Sequence, residues 1–109
     1  MADLASTARI PNVASVVLGD LSGGFHDAIR EADGETVASV AAFVASALAR
    51  AGEELGLGPV RRIAMGSEQR AMVVAISGAA VVTVRVEPPS ALAAVERALD
   101  ASVGTGGQA

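Results

Sequence analysis

The chain of 109 residues has no cysteine, no tryptophan, no tyrosine and no lysine. The absence of cysteine excludes disulfides, thiolate metal ligands and a cysteine nucleophile. Because Phe25 and Phe43 are the only aromatic residues, the core must consist of Ala, Val, Leu and Ile, whose small side chains favour closely packed elements. A hydrophobic content of 51% excludes a disordered chain, and the length suits a single domain.

The charge pattern also excludes some partners. A net charge of −4, with no basic stripe interleaved with aromatic residues, argues against nucleic-acid binding. The two longest uncharged runs, residues 36–49 and 71–84, have 14 residues each, whereas a membrane span needs about 20. No basic region precedes an apolar segment near the amino end, so no secretory signal is visible. We therefore expect a cytoplasmic domain with no membrane insertion.

The sequence predicts one domain over residues 1–102 and a disordered, glycine-rich tail over 103–109. Apolar periodicity and the Gly, Pro and Ser punctuation between periodic segments define its elements. In chain order these are a short helix over 1–10, a strand over 13–21, an ambiguous segment, a long helix from 33 to 55, strands over 60–67, 70–77 and 79–86, and a final helix to about 102.

The ambiguous segment, residues 23–31, reads GGFHDAIRE and holds the only histidine. As a helix it places Phe25 and Ile29 on one stripe. As a strand it places Phe25, Asp27 and Ile29 on one face and His26 on the other. Periodicity favours the helix, whereas the double glycine after an apolar strand favours a hairpin. The residues alone leave both interpretations open.

The long helix carries two lines of apolar residues. The line predicted to face the core comprises Val37, Val40, Ala41, Val44, Leu48, Ala51 and Leu55. A second line, about 100° away, has only small side chains and comprises Ala38, Ala42, Ala45, Ala49 and Gly52. We predict that a second helix packs closely against this line. The alternative is that the line reflects no more than the abundance of alanine.

The strand over 60–67 differs from the two strands after it. Residues 70–77 and 79–86 are almost continuously apolar, as strands covered on both faces are. In contrast, the adjacent Arg61 and Arg62 point to opposite faces of their strand. Because charge is one means by which proteins protect an exposed strand edge, we predict that residues 60–67 form an edge of the sheet.

Three segments and the order of the elements together resemble the Roadblock/dynein light chain family. The segments are GDLSGG at 19–24, EELGLGPVRRI at 53–63 and VVTVRVEPPSALAAVERAL at 81–99. The resemblance covers residues 10–101 and is greatest to stand-alone bacterial members. It implies an α/β (α+β) sandwich of the Roadblock/profilin type, in which a five-stranded antiparallel sheet has the long helix on one face and the terminal helices on the other.

The resemblance also implies a homodimer whose edge strands pair across a two-fold axis while the long helices lie side by side. The predicted dimer interface comprises Ala38, Ala42, Ala45, Ala49, Gly52, Arg61, Arg62, Ile63 and Met65. Residues 23–31 then become the second strand, at the opposite edge of the sheet. Candidate partner-binding residues on that strand are Phe25, His26, Asp27 and Ile29, although Phe25 and Ile29 could equally be core.

No catalytic residue, metal site or cofactor is predicted. A general base needs a nucleophile or an orienting carboxylate, and Asp27 on a strand points away from His26. A metal site needs at least three ligands, for which Asp20, His26 and Asp27 are a poor set. GLGP at 56–59 lacks the Lys-Ser/Thr of a phosphate-binding loop.

The leading hypothesis is a non-enzymatic homodimeric adaptor in a Ras-like small-GTPase system for polarity or motility. The resemblance implies that it binds a Roadblock paralogue, the GTPase or both. Arg50 is the only basic residue on the long helix, so no arginine finger is evident. The alternatives are a co-regulator that activates the GTPase directly, a structural subunit of a larger complex, and a small-ligand sensor.

Overall fold

A computed structural model describes residues 4–107, with side chains described as far as residue 101. Its elements are helix α1 (Leu4–Ala8), strands β1 (Val13–Asp20) and β2 (Phe25–Ile29), helix α2 (Gly34–Glu54), strands β3 (Arg62–Gly66), β4 (Ala71–Ser77) and β5 (Ala80–Val86), and helix α3 (Leu92–Gly107). The strands form one antiparallel sheet in the order β2-β1-β5-β4-β3. The predicted edge position of β3 is therefore confirmed.

The sheet buries an apolar cluster on each face. One face packs against α1 and α3 in a cluster formed by Ala8, Val13, Val16, Ala71, Val73, Val82, Val84, Val86, Val95 and Leu99. On the other face α2 covers a smaller cluster, formed by Ala41, Ile63, Val74 and Val81. The predicted fold class, with the long helix on one face of a five-stranded antiparallel sheet and the terminal helices on the other, is confirmed.

The ends of the chain differ from the prediction at one point. The backbone of α3 stays helical to Gly107, whereas the sequence predicts a helix ending near 102 and a disordered tail from 103. Glycine is a poor helix former, which is why the glycine-rich segment gave no helical signal. Residues 1–3, part of the predicted first helix, and residues 108 and 109, the end of the predicted tail, lie outside the described residues.

The small-residue line of α2 lies deeper in the core than the line predicted to face it, although Ala41 and Val44 of the predicted core line do pack against the sheet. In the small-residue line Ala38, Ala42, Ala45 and Gly52 are buried against the chain's own sheet and Ala49 is half-buried. The four buried residues are therefore not available to a second helix, and their predicted place in a dimer interface is wrong, whereas that of Ala49 stays a prediction. The predicted core line is exposed over much of its length, including Val40, Leu48 and Leu55.

The reason is how closely α2 approaches the sheet. A Cβ atom built on Gly19 of β1 would lie 2.9 Å from the Cβ atom of Ala38. A Cβ atom built on Gly52 would lie 2.5 Å from Cγ2 of Val60. At these two contacts no larger side chain fits, so the small-residue line faces inward. Val44 still reaches the core from the margin of the helix, whereas Val40, Phe43 and Leu48 are left exposed.

One side chain ties the amino-terminal segment to the sheet. Arg30, directly after β2, has a positive φ of 60°. Its guanidinium donates hydrogen bonds to the carbonyl oxygens of Ala8, Val13 and Ala14 at 2.8, 2.9 and 2.9 Å. Three backbone acceptors at the junction of α1 and β1 are thus satisfied by one residue that follows the hairpin.

The close packing of α2 predicts a large cost for any added volume. Ala45 is 0% exposed, so Ala45→Leu should lower the free energy of unfolding by about 1–3 kcal/mol, as overpacked cores do. Urea denaturation measures this loss. Ala94→Leu, the same change at an exposed position of α3, should alter stability by no more than about 0.5 kcal/mol. An equal, small effect of both variants would contradict the close approach.

Candidate interaction surfaces

The outward side of α2 is apolar. Val40, Phe43 and Leu48, here called the α2 flank, are 55%, 75% and 40% exposed. Two more leucines beyond the helix end, Leu55 and Leu57, are also largely exposed. Single exposed apolar residues are common, but a group of five on one helix and its following loop marks an interaction surface. Sequence reasoning missed Phe43, although it lies three residues after Val40 and so on the same side of the helix.

Strand β3 presents an open edge beside this helix. The N–H of Ile76 in β4 donates to the carbonyl of Arg61 at 2.8 Å. Backbone groups alternate in direction along a strand, so Arg62, Ala64 and Gly66 direct theirs away from the sheet. The pairing of β3 with β4 runs without a bulge, and Ala64 is exposed at its centre. These outward groups of Arg62, Ala64 and Gly66 are here called the β3 edge.

The side chains of β3 divide between this edge and the chain's own core. Arg61 and Met65 are exposed, and their predicted place in a dimer interface stays a prediction. Ile63 is buried under α2, so its predicted place there is wrong. Arg62 makes an ion pair with Asp100 of α3 in the same chain, and this hydrogen bond lowers the pKa of that carboxyl. The guanidinium of Arg62 therefore already has a partner.

The turn between β1 and β2 is organised by Asp20. Its Oδ1 atom accepts hydrogen bonds from the N–H groups of Ser22 and Gly24, each at 3.0 Å, and from the Ser22 hydroxyl. Its Oδ2 atom lies 2.7 Å from Nε2 of His26. Together, and chiefly through the Ser22 hydroxyl, these contacts hold the pKa of Asp20 well below its usual range.

The sequence predicts Asp20, Ser22 and Gly24 as turn residues, but not that the Asp20 carboxylate holds the turn together. An Asp ahead of Ser and Gly in a turn is a pattern that could have indicated this role. The contact also corrects the interpretation of His26, which does have a carboxylate partner, although not the neighbouring Asp27. The imidazole therefore fastens the turn.

Segment 23–31 is a strand that contains a β-bulge. Leu18 of β1 pairs with Asp27, but the next residue, Gly19, pairs with Phe25, so His26 is extra. The bulge reverses the alternation of faces. Asp27 and Ile29 share the face of Leu18, whereas Phe25 lies on the face of α2. The prediction that Phe25, Asp27 and Ile29 share one face is therefore wrong.

The two apolar residues of β2 have different environments. The ring of Phe25 rests on the start of α2, where a Cβ atom built on Gly34 would lie 2.5 Å from its Cε1 atom, and 43% of Phe25 stays exposed. Ile29 is half-buried against the core that α1 and α3 cover. Binding of a partner by Phe25, His26, Asp27 and Ile29 stays a prediction, but these residues do not form one patch.

A concave surface of about 640 Å³ adjoins the hairpin, lined by Leu18, Gly19, Asp20, Leu21, Ser22, His26, Ala79 and Ala80. Its polar side chains Asp20, Ser22 and His26 bond to one another, which leaves few groups to orient a ligand. Among the described residues, no group of three or more His, Cys, Asp or Glu could hold a metal ion. No helix in the described part of the chain is long and apolar enough to cross a membrane.

Solved structures show what this arrangement is similar to. MglB of Myxococcus xanthus matches with a TM-score of 0.78 and 17% identity, over 89% of this chain and 82% of that one. A Roadblock/LC7 domain from Streptomyces avermitilis matches with a TM-score of 0.73 and 19% identity, over 97% and 95% of the two chains. The gliding protein MglB of Thermus thermophilus matches with a TM-score of 0.72 and 17% identity, over 86% and 77%.

At these identities the similarity establishes the fold. The chain has the Roadblock/LC7 fold, as the resemblance in its sequence predicts. No protein-family model matches the sequence, and no curated protein matches it.

The hydrogen bonds of Asp20 predict a dependence of stability on acid. Because the pKa of this carboxyl is lower in the folded than in the unfolded chain, its stabilisation is present above about pH 4 and is lost as the pH falls further. Asp20→Asn should therefore weaken the loss of stability between about pH 5 and pH 2, measured by thermal unfolding. Asp33→Asn, at a carboxyl that does not cap α2, is the control and should keep the wild-type slope. Equal slopes for all three proteins would contradict this role.

Proposed function

We propose that the chain is a non-enzymatic homodimeric adaptor of the Roadblock type, acting in the cytoplasm in a small-GTPase system for polarity or motility. The observation that carries the proposal is an exposed apolar α2 flank next to an unpaired β3 edge. Each is a surface that a single copy leaves incomplete. Two copies related by a two-fold axis would complete both at once, because an isologous interface joins the same patch of each subunit.

Both surfaces favour association in physical terms. Full burial of a side chain such as Val, Leu or Phe contributes about 1.5–3 kcal/mol relative to exposure, and the α2 flank offers three. Pairing of the β3 edge with its own copy would satisfy the outward backbone groups of Arg62, Ala64 and Gly66 and remove an aggregation-prone edge. The dimer interface proposed here comprises the α2 flank, the β3 edge, Arg61 and Met65. It replaces the predicted line of small residues.

The nature of the partner is inferred from the polar margin of the exposed face of α2, next to Phe43. Ser39, Ser46, Arg50 and Glu53 are exposed there, and they give a polar surface with little net charge. This surface suits contact with another folded domain better than with a highly charged ligand. The structural similarity to MglB, one example of which is described as a gliding protein, supports a place in a motility system. The partner proposed here, a Roadblock paralogue or a Ras-like small GTPase, follows from the resemblance of the sequence to the Roadblock family.

The dimer can be tested at each surface separately. Ala64→Pro removes an outward N–H that the monomer does not use, and proline is tolerated at such edge positions. Phe43→Glu places a charge in the α2 flank. Each variant should keep its circular dichroism spectrum but halve the mass measured by light scattering. Ala94→Glu, at an exposed position of α3 on the other face of the sheet, should keep the wild-type mass. A monomeric wild-type protein, or dimers that persist in both variants, would refute this interface.

A GTP-hydrolysis assay distinguishes the adaptor hypothesis from direct activation of the GTPase. The purified protein should form a complex with the Roadblock paralogue or Ras-like GTPase of its own cell, detected by co-elution, without accelerating GTP hydrolysis when added alone. An arginine finger accelerates hydrolysis by about a thousandfold or more. Such a stimulation, abolished by Arg50→Ala and kept in Arg97→Ala, would replace the adaptor with an activator. Absence of any complex would refute both versions.

A further inference from the structure

The sheet has a second edge, formed by β2. As along β3, successive residues of the strands point their backbone groups alternately to one side and to the other. The N–H of Asp20 donates to the carbonyl of Gly24 at 3.0 Å, so the even-numbered residues of β1 direct their backbone groups toward β2. Val17, which pairs with Ala28, therefore directs its groups toward β5. It follows that the N–H and C=O groups of Ala28 point outward, away from the sheet.

The outward N–H of Ala28 is not free. The carboxylate of Asp27 accepts a hydrogen bond from it, with Oδ1 2.8 Å from the nitrogen. An added strand would have to bring a carbonyl oxygen to this N–H, where it would compete with the Oδ1 atom that already accepts from it. Asp27 thus occupies the central donor of the edge.

The rest of the β2 edge is short. On one side of Asp27 the bulge at His26 interrupts the regular spacing of donors and acceptors. On the other side the strand ends at Ile29, because Arg30 has a positive φ and its side chain folds back onto α1 and β1. A partner strand would find no regular run of groups to pair with.

The β3 edge contrasts with β2 on each point. It runs without a bulge over Arg62–Gly66. In the part of the chain that the structure describes, no side chain accepts a hydrogen bond from the backbone N–H of Arg62, Ala64 or Gly66. The β3 edge is therefore open to pairing with another strand, whereas on the β2 edge the side chain of Asp27 already accepts from the outward N–H of Ala28.

We propose that Asp27 closes the β2 edge against a strand from another copy of this chain, so that strand pairing is directed to β3. The consequence of this closure depends on the homodimer proposed above. In that dimer, two-fold pairing at β3 forms a continuous sheet with one β2 edge at each end. Open ends would let dimers add to one another without limit, since such contacts do not close. Asp27 makes the assembly finite.

The test compares two substitutions that both remove the charge. Asp27→Ala removes the acceptor, whereas Asp27→Asn keeps an oxygen that can accept from the Ala28 N–H. Light scattering over a range of concentrations should show Asp27→Ala rising to roughly twice the wild-type mass or more, while Asp27→Asn keeps the wild-type mass. In dilute solution, the Ala28 amide should exchange with solvent faster in Asp27→Ala than in Asp27→Asn.

Two outcomes of the light-scattering comparison would overturn the proposal. A wild-type mass for Asp27→Ala would show that the edge stays closed without the carboxylate. An equal rise in both variants would assign the effect to charge repulsion. The double variant Asp27→Ala, Ala64→Pro separates this proposal from the homodimer: it should still associate, through β2. If the wild-type protein is monomeric but Asp27→Ala associates, only the homodimer is refuted.

Discussion

The close approach of α2 to the sheet is the constraint on which the rest of the structure depends. No larger side chain fits where Ala38 faces Gly19 of β1, or where Gly52 faces Val60 in the segment before β3. Most of the core volume therefore comes from the strands, whose valines include six of the seven largest fully buried side chains. The same constraint turns Val40, Phe43 and Leu48 outward. Close packing inside one copy thus produces the apolar surface that a second copy can cover.

The sequence was sufficient to predict the layers and the two edges, but by two routes. Apolar periodicity, turn residues and the charge of Arg61 and Arg62 gave the elements and the edge at β3, whereas the layers and the edge at β2 came from the resemblance to the Roadblock family. The sequence was not sufficient to assign the two lines of α2. Both lines have helical spacing, and larger side chains normally face the core; the distance between helix and sheet, which reverses this, is a property of the assembled fold. The predictions for Ala45 and Val40 therefore failed together, and for the same reason.

The prediction that Phe25 and Asp27 share a face failed for a more local reason. Alternation along a strand would place Phe25 with Asp27, but one extra residue, His26, changes the face on which Phe25 lies. A bulge leaves little trace in composition, although the turn ahead of it does: Asp20, Ser22 and Gly24 form a recognisable pattern. The ion pair of Arg62 with Asp100 joins residues far apart in sequence, so their spacing could not have indicated it.

The guanidinium of Arg30 has a consequence for the order in which the molecule comes apart. Helix α1 has only five residues, too few to be stable by itself. Its carboxyl end is held by a side chain from beyond β2, while the sheet closes on its own ladder of backbone bonds. The amino-terminal helix and the strand ends it covers therefore form a local unit of low stability. We expect that unit to open before the sheet does, and its opening to leave the β3 edge and the α2 flank intact.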